Sequence, residues 1–85
     1  MKRTDVTYGQ LDRVLRSLGF SCRLLKEDPP ARVYEHKGSG AVVMIPPLPE
    51  SDFVLDYHLV GARTTLDLFG IADPEVFDAK LKKAG

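Results

Sequence analysis

The residues with the clearest potential for chemistry are Tyr34 and His36, which stand two apart at the end of an alternating run. The run extends from Ala31 to His36, and alternation places both side chains on the face opposite Val33. We expect that face to meet solvent. A histidine there could act as a general base on a ribose hydroxyl, with Tyr34 beside it. The alternative is a surface histidine at a turn, since the sequence spells out no partner base or oxyanion donor nearby.

The second histidine and the single cysteine carry weaker signals. His58 falls in the first turn of a predicted helix, where we expect an exposed residue. Cys22 lies in an alternating strand, where a cysteine is more often a small buried residue than a reactive thiolate. The sequence contains no CxxC, HExxH, GxSxG or P-loop pattern, so we expect neither a metal nor a cofactor.

Basic side chains in the first half of the chain form a candidate RNA-binding surface. Residues 1–37 carry eight Lys and Arg against five Asp and Glu, whereas residues 38–85 carry four against seven. A helix and a hairpin that share a rim could present several cations together, namely Arg13, Arg16, Arg23, Arg32 and Lys37. These cations could equally pair with Asp12, Glu27 and Glu35 as ordinary surface charge.

In an RNA complex we expect Arg23, Arg32 and Lys37 to contact phosphates. Tyr34 would stack on a base, and His36 would lie near the ribose. The net charge of zero argues against broad nucleic-acid affinity, because that affinity grows with the number of phosphates neutralised.

Length and composition indicate one small domain. The chain has 85 residues, of which 44% are hydrophobic and 28% charged, as in ordinary globular proteins. No apolar run approaches the roughly 20 residues that cross a bilayer, and a single cysteine agrees with a reducing compartment. We therefore expect one cytoplasmic domain over residues 1–85, with no membrane partner and with residues 1–6 disordered.

Capping signals and periodicity predict an α+β domain with the order helix, three antiparallel strands, helix and short helix. Thr7 and Gln10 have the spacing of a capping box, and Gly19 is a C-terminal stop. Between them one apolar stripe is expected to be buried, with Asp12, Arg13 and Arg16 outside it. Alternation from Phe20 to Leu24 predicts the first strand.

A hairpin follows the first strand. Residues 31–36 and 41–45 flank the turn-forming residues 37–40. Because residues 41–45 are apolar at every position, we expect them to form a central strand.

Two more helices complete the chain. Either Asp52 or Asp56 is expected to cap the second helix and Gly70 to close it, while Asp73 and Pro74 begin the third. One sheet face should carry both main helices. The predicted core comprises Leu11, Leu15, Leu18, Val43, Ile45, Leu59, Leu66 and Phe69, and the last helix is expected to pack through Val76, Phe77 and Leu81.

Three stretches carry a family resemblance. The first runs from Tyr8 to Phe20, the second from Tyr34 to Pro46, and the third from Arg63 to Leu81. In their order and spacing they resemble the HicA family of bacterial messenger-RNA-cleaving toxins. The resemblance implies a double-stranded-RNA-binding-like fold of helix, three strands and helix. It also implies RNA as a ligand and a small antitoxin-like protein, encoded nearby, as a partner.

The sequence departs from this family at its catalytic element. The family has a Gly-Ser-His run at the start of the second strand, with the histidine three residues before an aromatic. Counting back from Tyr34 gives Ala31, which follows Pro29 and Pro30. His36 resembles a second, non-catalytic histidine of the family, with Lys37 in place of the family's proline. Losing the general base should cost about a hundredfold or more in rate.

The resemblance therefore implies a HicA-like protein of a toxin–antitoxin module, either RNA-binding or a vestigial mRNA interferase, with weak or absent nuclease activity. Whether it is an enzyme stays open, and an active chain would be a metal-independent ribonuclease using His36 and Tyr34. The alternative is a protein-interaction module that binds an antitoxin-like partner without nucleic acid. Fold-level analogy alone does not decide between them.

Overall fold

The computed structural model describes residues 3–84, which form five strands and three helices. In chain order they are β1 (Arg3–Thr7), α1 (Tyr8–Ser17), β2 (Phe20–Leu25), β3 (Ala31–His36), β4 (Ala41–Ile45), β5 (Phe53–Leu55), α2 (Asp56–Leu68) and α3 (Pro74–Ala84). The predicted α+β class and the order of α1, three strands, α2 and α3 are confirmed, with a second, two-stranded sheet in addition. No helix within residues 3–84 is long and apolar enough to cross a membrane.

The first helix begins and ends where the sequence predicts. The Thr7 hydroxyl accepts from the Gln10 backbone N–H at 3.2 Å, and the Thr7 N–H donates to Gln10 Oε1 at 2.8 Å. These two reciprocal hydrogen bonds satisfy two backbone N–H groups, those of Thr7 and Gln10, that would otherwise lack partners at the helix start. Gly19 follows the helix with a φ of +96°, a left-handed conformation that costs glycine little.

The larger sheet is an antiparallel meander in the order β2, β3, β4. β3 is its central strand, so the prediction that β4 is central is wrong. In β4 the residues alternate: Ala41, Val43 and Ile45 are buried, whereas Val42 and Met44 are 47% and 56% exposed. An unbroken apolar run predicts a strand covered on both faces, and here one face of an edge strand is left uncovered.

The smaller sheet pairs β1 with β5. Residues 3–6, predicted to be disordered, instead form most of β1, and residues 1–2 lie outside the described residues. Thr7 aligns with Phe53, and the Tyr8 N–H continues the pairing by donating to the Asp52 carbonyl at 2.9 Å. This contact ties the start of α1 to the segment before α2.

The starts of the last two helices differ. Leu55 is the N-cap residue of α2 and makes no side-chain cap, so neither Asp52 nor Asp56 has the predicted role, because β5 leads directly into the helix. Asp73 does cap α3: its Oδ1 accepts from the Val76 N–H at 2.9 Å. Gly70 ends α2 with a φ of +68°, as predicted.

The core lies between the helices and one face of the larger sheet. Most predicted core residues are buried, and Leu18 is partly buried against them. Two predictions are wrong, since Phe69 is 48% exposed and Val76 is 43% exposed. The buried cluster comprises Tyr8, Leu11, Val14, Leu15, Phe20, Tyr34, Ala41, Val43, Ile45, Val54, Leu59, Ala62, Leu66, Ala72, Phe77 and Leu81.

Candidate functional site

Tyr34 lies inside the protein, not on its surface. Its relative exposure is 0%, and its O–H donates to Asp12 Oδ1 at 2.7 Å. Asp12, predicted to lie outside the buried stripe of α1, is 9% exposed and also accepts from Arg16 Nε at 3.0 and 3.1 Å. The prediction of a solvent-facing Tyr34 is wrong, because the helices cover that face of β3. In this position its ring cannot stack on an RNA base.

The environment of Tyr34 keeps its hydroxyl protonated. Burial, and after it the hydrogen bond to Asp12, raises the pKa of Tyr34 far above its ordinary value. The Asp12 carboxylate likewise raises the pKa of Arg16, chiefly through their hydrogen bond. A phenol that stays protonated and is already donating to a carboxylate is neither a base nor a nucleophile at neutral pH. The group therefore joins α1 to β3 as a buried structural contact.

His36 is committed to the turn between β3 and β4. The Ser39 backbone N–H donates to its Nδ1 at 3.1 Å, and the Ser39 hydroxyl lies 2.9 Å from the same nitrogen. The Ala41 N–H in turn donates to the Ser39 hydroxyl oxygen at 3.2 Å. Because a backbone N–H can only donate, Nδ1 is the acceptor in this contact.

The rest of the His36 ring also packs against protein. Its centroid lies 5.1 Å from that of Phe20, and a Cβ added at Gly19 would lie 3.3 Å from Nε2. A general base needs a lone pair aimed at a substrate, and Nδ1 already accepts from the Ser39 backbone N–H. The geometry matches the alternative that the sequence left open, a histidine that holds a turn.

The position where the resemblance expects a catalytic histidine holds a side chain without chemistry. Ala31 begins β3 opposite Leu25 and is half-buried. His36 stands five residues further along the same strand, which is about 17 Å away at the rise of an extended chain. The histidine of β3 therefore cannot substitute at the start of the strand.

The five basic residues do not share one surface. Arg23 aligns with Val33, next to Arg32 in β3, so Arg23 and Arg32 lie on opposite faces of the sheet. Lys37 lies in the turn after β3. Arg13 lies on α1, where its guanidinium donates to the Ala84 carbonyl at 2.8 Å.

Two of these cations are neutralised by carboxylates, as the alternative interpretation predicts. Arg23 Nε lies 2.6 Å from Glu35 Oε1, and Arg16 pairs with Asp12. Within residues 3–84, Arg32 and Lys37 make no ion pair. Of the five predicted phosphate-binding residues, these two are the ones whose side chains are not engaged by a carboxylate or a backbone carbonyl within residues 3–84.

A basic cleft between α1 and α3 has a structural explanation. It measures about 270 Å³ and is lined by Arg13, Ser17, Lys80 and Lys83, among others. The two helices run parallel, since Gln10 contacts the Leu81 carbonyl and Arg13 the Ala84 carbonyl. The C-terminal ends of α1 and α3 therefore meet at this cleft. Their partial negative charge favours nearby Lys and Arg side chains, so a bound anion is not needed to explain them.

An apolar groove separates the free edge of β4 from α2. It measures about 190 Å³ and is lined by Val42, Val43, Met44, Tyr57, His58, Gly61, Ala62 and Thr65. Sequence reasoning missed it because β4 was expected to be central. The alternation of β4 with the helical spacing of Tyr57, Gly61 and Thr65 is the signal that could have revealed it.

His58 is half-buried beside this groove, which corrects the prediction of an exposed helix residue. Its Nδ1 lies 3.2 Å from the Tyr8 hydroxyl, and its ring stacks at a tilt on Tyr57 with centroids 4.1 Å apart. Burial lowers the pKa of His58. The neutral ring therefore predominates at neutral pH and joins α2 to the start of α1.

The last candidate residue from the sequence is Cys22. Cys22 is half-buried and packs against the core. Within residues 3–84 no three His, Cys, Asp or Glu side chains are grouped as metal ligands.

Comparison with protein families, with curated proteins and with solved structures finds no significant match.

Proposed function

We propose that this chain is a HicA-like protein of a bacterial toxin–antitoxin module that acts in the cytoplasm by binding a protein partner, without cleaving RNA. The order of α1, three antiparallel strands and α2 agrees with the double-stranded-RNA-binding-like fold that the resemblance implies. The partner is a small antitoxin-like protein encoded nearby.

One observation carries the proposal: both side chains that could replace the missing catalytic histidine are occupied. Tyr34 is buried and donates to Asp12, and His36 uses its acceptor nitrogen on Ser39. A positioned acid or base contributes about 10²- to 10⁴-fold to a rate. Without a positioned acid or base, we expect the chain to keep its binding surfaces and to lack nuclease activity.

Surface properties favour a protein partner over RNA. The net charge is zero, and the two ion pairs of Arg16 and Arg23 reduce the cations that are free for phosphates. Apolar surface is exposed instead, with Leu68 at 77% and Phe69 at 48% at the end of α2. We assign these two side chains to the surface that contacts the partner, because exposed apolar patches mark interaction sites.

RNA binding is the second candidate, and Arg32 and Lys37 are its support because neither forms an ion pair with another residue of the described range 3–84. With two phosphate contacts on a single strand, the logarithm of the affinity should fall with the logarithm of salt with a slope of about −1.4. Such a shallow slope distinguishes weak contact by these two residues from a broad basic surface.

Titration of the purified chain decides between the two candidates. The small protein encoded beside its gene and a labelled single-stranded RNA are each added across a salt series. We expect micromolar or tighter binding of the protein and none of the RNA at physiological salt. RNA binding that is lost in the Arg32→Gln/Lys37→Gln variant, but kept in an Arg23→Gln control, would replace the protein-binding proposal with the RNA-binding one.

A further inference from the structure

The free edge of β4 lacks the features that usually protect an edge strand. Within residues 3–84 the larger sheet ends at β4, so alternate residues of the strand direct unpaired N–H and C=O groups outward. The strand reads Ala-Val-Val-Met-Ile, without a charge, a proline or a glycine. Its register with β3 is regular, without a bulge. A bare apolar edge of this kind is a template for another strand.

The other edge of the same sheet is protected. β2 carries Arg23 at its centre, and the guanidinium pairs with Glu35 on the neighbouring strand. A charge at an edge opposes pairing with a second strand. The contrast between the two edges indicates that pairing is disfavoured at β2 and permitted at β4.

We infer that β4 pairs with β4 of a second copy of this chain, antiparallel about a two-fold axis through Val43. In this register each Val43 lies opposite its equivalent, and Val42 of one copy lies opposite Met44 of the other. Pairing would join the two sheets into one of six strands. It would also place Val42 and Met44, which are 47% and 56% exposed in the single chain, in cross-strand contact with each other.

The absence of charge on β4 suits pairing with a second copy of the chain. A two-fold axis places every residue near itself or near its symmetric neighbour, so any charge on such a strand would meet a like charge. The strand has none, and the α2 residues that line the adjacent groove are also uncharged. Gly61 lies on that side of α2 with nothing within 4 Å of an added Cβ, which leaves room for the second copy.

The inference does not depend on the proposed function, because the dimer requires neither RNA nor an antitoxin. Sedimentation equilibrium of the purified full chain tests it first. We expect a reversible monomer–dimer equilibrium, and a chain that stays monomeric at high micromolar concentration would overturn the inference. A second outcome would also overturn it: the natural chain is monomeric, and variants of β4 no longer bind an added protein partner. That result would assign the β4 edge to the partner instead.

Paired variants test the register. Val42→Lys/Met44→Lys places like charges opposite each other twice in the dimer, whereas Val42→Lys/Met44→Glu places opposite charges there. We expect the dimer dissociation constant of the first to exceed that of the second by about tenfold or more. The Leu68→Lys variant, which alters an exposed apolar residue at the end of α2, should match the natural chain.

Hydrogen exchange keeps the test valid if a variant fails to fold. In the natural chain, amides of β4 should exchange more slowly at high protein concentration than at low, while β2 amides do not change. Concentration-independent exchange throughout β4 would overturn the inference.

Discussion

The Tyr34 hydroxyl of β3 donates to the Asp12 carboxylate of α1 at 2.7 Å, and both residues are buried. This contact explains why an aromatic and an acid that look available for chemistry in the sequence instead hold a helix on the sheet. Removing either partner leaves a buried polar group without its hydrogen bond, and that loss is costly.

We expect Asp12→Ala to lower the free energy of unfolding by about 1–3 kcal/mol, because the buried Tyr34 hydroxyl loses its acceptor. Urea unfolding followed by circular dichroism measures the change. Arg16→Gln is the control: the Arg16 side chain is 57% exposed, and loss of its ion pair should cost no more than about 1 kcal/mol. Equal losses in the two variants would contradict the assignment of Asp12 to the interior.

His36→Ala should destabilise the β3–β4 turn by about 1 kcal/mol, since Ser39 loses the acceptor for its backbone N–H. Thermal unfolding of this variant, beside Lys37→Ala at the neighbouring turn position, provides the comparison. We expect little change for Lys37→Ala. If His36→Ala leaves stability unchanged, the ring does not hold the turn.

The half-buried ring of His58 makes stability depend on pH. Its pKa is lowered in the folded chain, so near the ordinary value of about 6.5 the unfolded chain binds more protons than the folded one. Stability should therefore fall as the pH is lowered from 7.5 through the histidine range. Unfolding titrations of the natural chain and of His58→Gln measure this, and the variant should lose part of the slope between pH 7.5 and 5.5. Identical slopes would contradict the prediction.

Two glycines of equal surroundings differ in backbone conformation. Neither Gly61 nor Gly70 has an atom within 4 Å of an added Cβ, but only Gly70 has a positive φ, of +68°. We expect Gly61→Ala to stabilise the chain by up to about 1 kcal/mol through helix propensity. Gly70→Ala should destabilise it by about 1 kcal/mol or more, because alanine is strained there. Thermal melts compare them, and effects of the same sign would contradict the assigned backbone.

Local signals predicted the parts of the fold that depend on neighbouring residues. The Thr7–Gln10 capping box and the Asp73 cap act within one turn of helix. Gly19 and Gly70 end their helices through a conformation that glycine adopts at low cost. Each of these features depends on residues within a few positions of each other, so it can be predicted from the sequence alone.

Long-range pairing was not predictable in the same way. β5 has three residues and pairs with β1 some fifty positions earlier, a contact without a local signature. Alternation assigned Tyr34 and Val33 to opposite faces correctly, but it could not say that both would be buried, at 0% and 4% exposure. The burial of Tyr34 depends on which face of β3 the helices cover, and no local pattern in the sequence gives that face.

The direct test of the central claim is RNA integrity after induced expression of the chain in bacteria. We expect the natural chain to leave messenger RNA intact and growth unchanged, because Ala31 supplies no base and His36 is held by Ser39. An Ala31→His variant, expressed in parallel, is the matched attempt to restore cleavage. If the natural chain degrades messenger RNA and His36→Ala does not, this expectation is wrong and His36 has a catalytic role.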